Sequence, residues 1–304
     1  MSTYSSLLAQ AEKLRRHNRQ GSYKTKERYY EAFKRFLRYV AEESKLEKLQ
    51  NLSGKHMCSY VARLKEKGLA ASTIKTDMSA IRFWHDQIPN AKHTLPSNAD
   101  LSLERRQYGS VDRTWSDAEY NNMLLECFGT QHRDYEACIV IARYAGLRIH
   151  EVMKIDTAIA RDALKTGEIN IRGKGGLERG VPINEQVRIV LRDALERTKP
   201  GQKLFVPEGK ETHAVIKEFQ RFIRTHRQRI PPPDSGRTAK LTFHGLRHTY
   251  AAEQYARLRK TGLSKLDARK GVAKLLGHGR DDVTRIYTAS VDEAQFGEGG
   301  DGDV

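Results

Sequence analysis

The pentapeptide "HGLRH" holds His244, Arg247 and His248 at i, i+3 and i+4, so a helix through it turns all three side chains to one face. Three nitrogen-rich groups converging in this way suit a metal or an anion. The zinc-protease pattern requires a glutamate directly after the first histidine, and Gly245 stands there. No cysteine or carboxylate nearby completes a ligand set, which leaves an anion site built on the arginine or a basic face on a solvated helix. Three further clusters lie in the same half of the chain. "AGLRIHEV" sets Arg148 just after a helix stop with Glu151 three residues on, "RGKGG" sets Lys174 on a hairpin turn, and "LLGHGRDDVTRIYT" places Tyr287 nine residues after His278. Taken singly, each has an ordinary explanation: an i, i+3 ion pair, a hairpin-tip lysine, a helix cap and a packed tyrosine.

The elements that must position these residues are mostly helices. From Ser22 to about Asn90 the pattern is helical throughout. In "KERYYEAFKRFLRYVAEE" the residues Tyr29, Ala32, Phe33, Phe36 and Val40 form one apolar stripe opposite a basic face. A second helix opens at Ser53 and stops at Gly68, and a third is capped by Ser72 or Thr73 and ends before Pro89. The aromatics on these stripes read as core rather than as platforms for stacking bases. A stretch with Pro96, many polar residues and the Arg105-Arg106 pair has no period and marks the way to a second domain. There "DYEACIVIARYAG" places Cys138, Ile141, Ala142 and Ala145 on one helix face with Gly146 as the stop. "EINIRGKGGLERGVPI" alternates Ile169 with Ile171 and Val181 with Ile183 about a glycine-rich turn, which predicts a β-hairpin. The expected divisions are an N-terminal extension (1–20), a helical domain (21–107), a linker (108–113), a larger domain (114–290) and an acidic flexible tail (291–304).

Charge narrows the partners. The 304 residues contain 54 Lys+Arg against 38 Asp+Glu, a net +16. Residues 1–110 carry a net +10, residues 111–290 a net +11 and the last fourteen a net −5. Two basic segments fit a protein that encloses a polyanion between two domains, with steeply salt-dependent binding. Charge alone does not separate DNA from RNA or from an anionic membrane, but no Lys-rich amphipathic helix with Trp and Leu on its other face favours the membrane. No apolar run has the length of a membrane span, and the opening "MSTYSSLLAQAEKLRRHNRQ" lacks a signal-peptide core, so a cytoplasmic protein is expected. Cys58, Cys127 and Cys138, odd in number and far apart, read as reduced, mostly buried thiols. "GKGG" is too short for a P-loop, and no acidic metal cluster is visible.

Together and in this order, the motifs resemble those of the tyrosine recombinase (phage integrase) family, from about Trp115 to Thr288, in the two-domain form of Xer-like and mobile-element integrases. The first domain resembles that family's SAM-like core-binding domain. The resemblance implies a mainly α fold: a core-binding domain of four to five helices, and a larger, mostly α catalytic domain with a small antiparallel β-sheet, closing as a C-clamp on duplex DNA. Carried over to this chain, it makes Arg148 and Arg247 the clamp on the scissile phosphate, a role that suits permanently charged planar forks. Tyr287 becomes the nucleophile that forms a 3′-phosphotyrosyl bond, and His244 the acceptor of its proton. Lys174 becomes the general acid for the 5′-oxygen, His278 a hydrogen-bond donor to the phosphate and Glu151 a support for Arg148. For His248, support beneath the site and contact with phosphate both stay open.

The implied chemistry needs no metal and no nucleotide cofactor, because the phosphotyrosine linkage conserves the phosphodiester bond energy. The implied partners are a short inverted-repeat core site, three further copies of the chain exchanging strands through a Holliday junction, and an accessory DNA-bending or directionality factor. The implied task is integration or excision of a mobile element in the cytoplasm, at the nucleoid. Replicon-dimer resolution, a type IB topoisomerase-like activity and an idle DNA-binding accessory role are the rivals. The chain departs from compact members in the thirty steps from His248 to His278, around "RLRKTGLSKLDARKG", and in the short stretch after Tyr287. No separate arm-site domain is expected before Ser22.

Overall fold

Apolar residues at helical spacing build the first unit. Helices α1 (Thr3–His17), α2 (Tyr23–Ser44), α3 (Gly54–Glu66) and α4 (Ala71–His85) surround one core, with Phe33, Phe36, Leu37, Val40, Met57 and Trp84 almost wholly enclosed. The structure is a computed structural model that describes residues 2–18, 23–104, 111–173, 176, 178–233, 239–277 and 287. Lys174, His278, the Arg105-Arg106 pair and the tail 291–304 lie outside these residues. The chain divides into two units, residues 1–107 and 108–304. Residues 1–20, set apart above as an extension, contain α1, whose Leu7 and Ala11 are buried in the first unit's core.

The α2 stripe turns inward, and the aromatics pack on one another. The Trp84 ring lies 5.5 Å edge-on from Tyr30 and 6.2 Å from Phe33. Arg35 on α2 forks onto both oxygens of the buried Asp77 on α4 at 3.1 and 3.0 Å, tying the two helices together. One boundary differs from expectation. Helix α4 begins at Ala71, ahead of Ser72 and Thr73, because the backbone N–H groups of Thr73 and Ile74 already bond to Ala70 O.

The second unit is assembled around α6 (Arg133–Ala145), from which Cys138, Ile139, Ile141 and Ala142 are fully buried. Around it lie α5 (Asp117–Gly129), α7 (Ile149–Val152), α8 (Thr157–Thr166), α9 (Glu185–Arg197), α10 (Thr212–His226) and α11 (Phe243–Lys260). Helix α12 (Lys265–Leu276) packs on α11. Between α8 and α9 the strands β1 (Glu168–Arg172) and β2 (Glu178–Pro182) pair antiparallel, Ile169 opposite Val181 and Ile171 opposite Arg179. The caps are those that helix chemistry favours: Ser116 with Glu119 forms a capping box on α5, while Asp156, Asn184, Thr242 and Ser264 accept backbone N–H groups on α8, α9, α11 and α12. Cys127 and Cys138 are buried, whereas Cys58 is exposed. Among the described residues, no helix is long and apolar enough to cross a membrane.

Gly146 ends α6 in the left-handed region, with φ +61°, and a Cβ there would stand 2.3 Å from Tyr250 Cδ1 on α11. Only a residue without a side chain satisfies both conditions. Replacing it with alanine adds left-handed strain and overpacking, so Gly146→Ala is expected to lower stability by about 2–4 kcal/mol. Gly129→Ala, at a helix end where no heavy atom of the described residues lies within 4 Å of its Cβ position beyond its own helix backbone and chain neighbours, is expected to change it by less than about 0.5 kcal/mol. Urea unfolding followed by circular dichroism distinguishes the two.

Candidate active site

The first turn of α11 presents the "HGLRH" residues. Thr242 caps the helix, its hydroxyl accepting from the Gly245 N–H at 3.3 Å. Trp115 crosses this turn, donating from Nε1 to Thr242 O at 3.0 Å and from its backbone N–H to Thr249 Oγ1 at 2.7 Å. A Cβ on Gly245 would meet Trp115 Nε1 at 2.5 Å and Arg113 O at 2.6 Å, so the glycine in the motif is a packing requirement. The same crossing brings the charge of Arg113 to bear on His244 and His248.

Arg247 points inward and is enclosed. One of its amino groups donates to Gly146 O at 2.6 Å and the other to Leu276 O at 2.6 Å. Burial and the nearby Arg148 push its pKa down to about 10, which leaves it cationic at pH 7. Arg148 caps α7 and keeps part of its side chain in solvent. Helix α7 is a single turn, and the Arg148 N–H is taken by Glu151 Oε2 at 2.8 Å, so the helix-terminal contribution to anion binding is small at this position.

Glu151 is the hub. It is fully buried, yet it accepts Arg148 Nη1 at 2.9 Å on Oε1 and the two amino groups of Arg179 at 3.2 and 2.9 Å, with Arg247 Nη1 3.9 Å away. Burial alone would raise its pKa; the hydrogen bonds from Arg179 and the Arg148 backbone, and both guanidinium charges, outweigh burial and hold it at about 2. Arg148, Arg179 and Arg247 thus surround one carboxylate, and the cluster keeps a surplus of positive charge. An oxyanion is the complement to such a surplus.

Tyr287 closes the site. Its hydroxyl lies 3.2 Å from His244 Nε2, and its ring sits 4.3 Å from that of His248. Burial, followed by the charges of Arg247, Arg148 and Arg113, pushes the His244 pKa down to about 4. The residue keeps an open face to solvent, which weakens the burial contribution, but three cations suffice for the direction. A neutral imidazole with a bare Nε2 is an acceptor for the Tyr287 proton. His248 is buried beneath Tyr287, and its Nε2 finds no hydrogen-bond partner among the described residues. Burial and the neighbouring His244, Arg113 and Arg247 push it to about 3. A 440 Å³ cleft lined by Arg148, His150, Arg224, Arg227 and His244 opens alongside.

The structure therefore brings together Arg148, Glu151, His244, Arg247, His248 and Tyr287, while Lys174 and His278 fall outside the described residues. Arg179 was missed from sequence, although a signal existed. It stands two residues before the buried Val181 on a strand, which places a charge on the inward face of the hairpin. Among the described residues, no group of three or more His, Cys, Asp or Glu side chains could hold a metal ion.

The two histidines give a pH signature. Both are held neutral in the fold but bind a proton near pH 6.5 when unfolded, so the unfolded state takes up more protons below that pH and stability falls as pH drops from about 6.5 toward 4. Glu151, held at about 2 in the fold and titrating near 4.5 when unfolded, adds to this loss only below about pH 5. Between pH 7 and pH 5, His248→Gln is expected to remove about 1–2 kcal/mol of the wild-type stability loss. Urea midpoints measured at the two pH values test this; an unchanged loss would show that His248 is not held neutral.

Comparison with known proteins agrees with the geometry. The profile described as "Phage integrase family" matches residues 116–294, and that described as "Phage integrase, N-terminal SAM-like domain" matches residues 13–87. The chain is 27% identical over 244 residues to the tyrosine recombinase XerC of Chlamydia pneumoniae, covering 77% of this chain and 72% of that protein. Its fold is similar to that of the Tn1549 transposon integrase in complex with circular intermediate DNA, with a TM-score of 0.61 and 18% identity over 97% of this chain and 99% of the other. It is also similar to a lambda integrase from a tetramer bound to a Holliday junction, with a TM-score of 0.60 and 17% identity over 100% of this chain and 80% of the other. With both domain profiles matched in order, with Arg148 and Arg247 beside one buried carboxylate and with Tyr287 against His244, the chain belongs to the phage integrase family of tyrosine recombinases.

Proposed function

We propose that this protein is a site-specific DNA recombinase that cleaves and rejoins duplex DNA through a 3′-phosphotyrosyl intermediate. The observation that carries the reading is the Tyr287 hydroxyl 3.2 Å from His244 Nε2, beside a cluster in which three guanidiniums outnumber one carboxylate. Tyr287 attacks phosphorus, its proton passes toward His244, and the bond to the 5′-oxygen breaks. Lys174, by its place in the motif order, delivers a proton to that oxygen, and His278 hydrogen-bonds the phosphate. Arg148, part of whose side chain stays in solvent, is the outer arm of the phosphate clamp. Arg247 contributes its charge from below.

An imidazole with a pKa of about 4 is a weak base toward a phenol, and substrate corrects this. A phosphodiester brings one negative charge into the field of Arg113, Arg148 and Arg247, offsets the repulsion that keeps His244 neutral, and raises its proton affinity when the proton must be accepted. Reversal needs only a second 5′-hydroxyl, so strand exchange proceeds without nucleotide hydrolysis.

The substrate in this reading is duplex DNA with a short inverted-repeat core site, and four protomers act on two such sites through a Holliday junction. The likeness to a lambda integrase whose tetramer is bound to a Holliday junction supports that assembly, and the likeness to a transposon integrase supports integration or excision of a mobile element. The 27% identity to XerC favours a second reading, resolution of replicon dimers by the same chemistry. An accessory DNA-bending or directionality factor and a cytoplasmic site of action at the nucleoid complete the proposal.

The test is to express the protein beside its native flanking DNA, recover covalently bound DNA under denaturing conditions and sequence the ends. Adducts at one short inverted-repeat site are expected for the wild type and none for Tyr287→Phe. Arg148→Ala is expected to lower adduct formation by at least about 100-fold. Adducts scattered without sequence preference would instead indicate a topoisomerase-like activity, and DNA binding without adducts a catalytically idle binding protein.

A further inference from the structure

We propose that Arg179 is a positioning residue that clamps the β1–β2 hairpin to the phosphate-binding arginines, so that hairpin placement and assembly of the phosphate site are one event. The inference rests on the recombinase reading above, because it assigns a role within that site. Arg179 lies opposite Ile171 in the hairpin register and on the same strand face as Val181, both of which are buried. An apolar residue would satisfy that position. The chain instead places a guanidinium there, with only 7% of its side chain exposed.

Each of its nitrogens is committed. Nη1 donates to Glu151 Oε1 at 3.2 Å, Nη2 to Glu151 Oε2 at 2.9 Å and Nε to Leu275 O at 3.1 Å. The two amino groups match the two carboxylate oxygens as a planar fork, and the third donor reaches the last turn of α12. The next carbonyl along, that of Leu276, accepts Arg247. Arg179 and Arg247 therefore hold consecutive carbonyls at the end of α12, and both approach the Glu151 carboxylate that also fixes Arg148. One side chain thus joins the hairpin, α7 and α12, three segments far apart in the chain.

The consequence is mechanical coupling. A hairpin that moves away from the site takes Arg179 with it, removes the bidentate partner of a buried carboxylate and frees Glu151 to reorient on Arg148. Lys174 lies in the segment between the two strands, five residues before Arg179, so its delivery and the alignment of the phosphate clamp depend on the same docking. Since the nitrogens of Arg179 are turned to protein acceptors, it acts through Glu151 and does not touch substrate.

The experiment compares full-length wild type, Arg179→Lys, Arg179→Met, Glu151→Gln and the Arg179→Met/Glu151→Gln double variant. Three quantities are read: affinity for a core-site duplex, single-turnover formation of the tyrosyl adduct on a nicked core-site duplex, and hydrogen exchange of the free proteins. Affinity is expected to stay within about threefold of wild type, while adduct formation falls by about 100-fold in both Arg179 variants, since misplacement of a supporting group by an ångström has that effect. Lysine does not rescue, because it lacks the planar fork. Exchange is expected to rise together in residues 168–172, 178–182 and the last turn of α12, with the first unit unchanged. The double variant is expected to cleave no more slowly than Arg179→Met, because the glutamine leaves no unpaired buried charge.

Wild-type cleavage by Arg179→Lys, multiplicative losses in the double variant, or unchanged exchange in the hairpin would each overturn the clamp. If Arg179→Met does not fold, Arg179→Lys, which keeps the charge and the aliphatic stem, decides the matter. If the wild type itself forms no adduct, the recombinase reading fails, and the exchange measurement still decides whether Arg179 holds the hairpin to α12.

Discussion

A buried carboxylate surrounded by guanidiniums governs the catalytic unit. Glu151 shows no surface to solvent, and an isolated charge in that position would be prohibitively costly. Its partners come from its own short helix, from the β-hairpin and from the first turn of α11, so satisfying one charge requires three distant segments to meet. The motifs separated in sequence are held together by this requirement. The apolar core around α6 supplies the bulk of the packing, but it does not by itself specify where these polar side chains point.

The arithmetic of the cluster also sets its chemistry. A single carboxylate against Arg148, Arg179 and Arg247 leaves a positive remainder that water cannot fully screen in a partly enclosed pocket. That remainder does two things at once. It favours an anion at the mouth of the site, and it keeps His244 and His248 from becoming further cations. A site without the remainder would bind phosphate weakly, and one with protonated histidines would have no acceptor for the phenol proton. The two properties are aspects of one electrostatic field.

Much of this was legible in the sequence, for identifiable reasons. Helical periodicity is local, so the α2 stripe and the Gly68 and Gly146 stops could be read from short windows. The family motifs are likewise short, and they marked Arg148, His244, Arg247 and Tyr287 before any contact was known. What could not be read was long-range. The burial of Arg247 depends on carbonyls 101 and 29 residues away, and the partner of Arg179 lies 28 residues upstream. The α4 start was misplaced because Ala70, which closes the first turn with its backbone alone, carries no polar side chain to advertise a cap. Arg179 carried a signal in its two-residue spacing from Val181, but only the strand pairing brought its partner into view.

The two carbonyls that hold Arg247 belong to helix ends, Gly146 being the cap of α6 and Leu276 the last residue of α12. Each C-terminus carries the equivalent of about half a negative charge from its aligned peptide dipoles. The most deeply buried cation among the described residues of the site therefore meets, besides Glu151, two macrodipoles that no change of pH can titrate. Both helices stop where this side chain meets them, and Arg148 follows two residues beyond the α6 cap. A single arginine thereby anchors two helix ends, and Arg148 inherits its starting position from it.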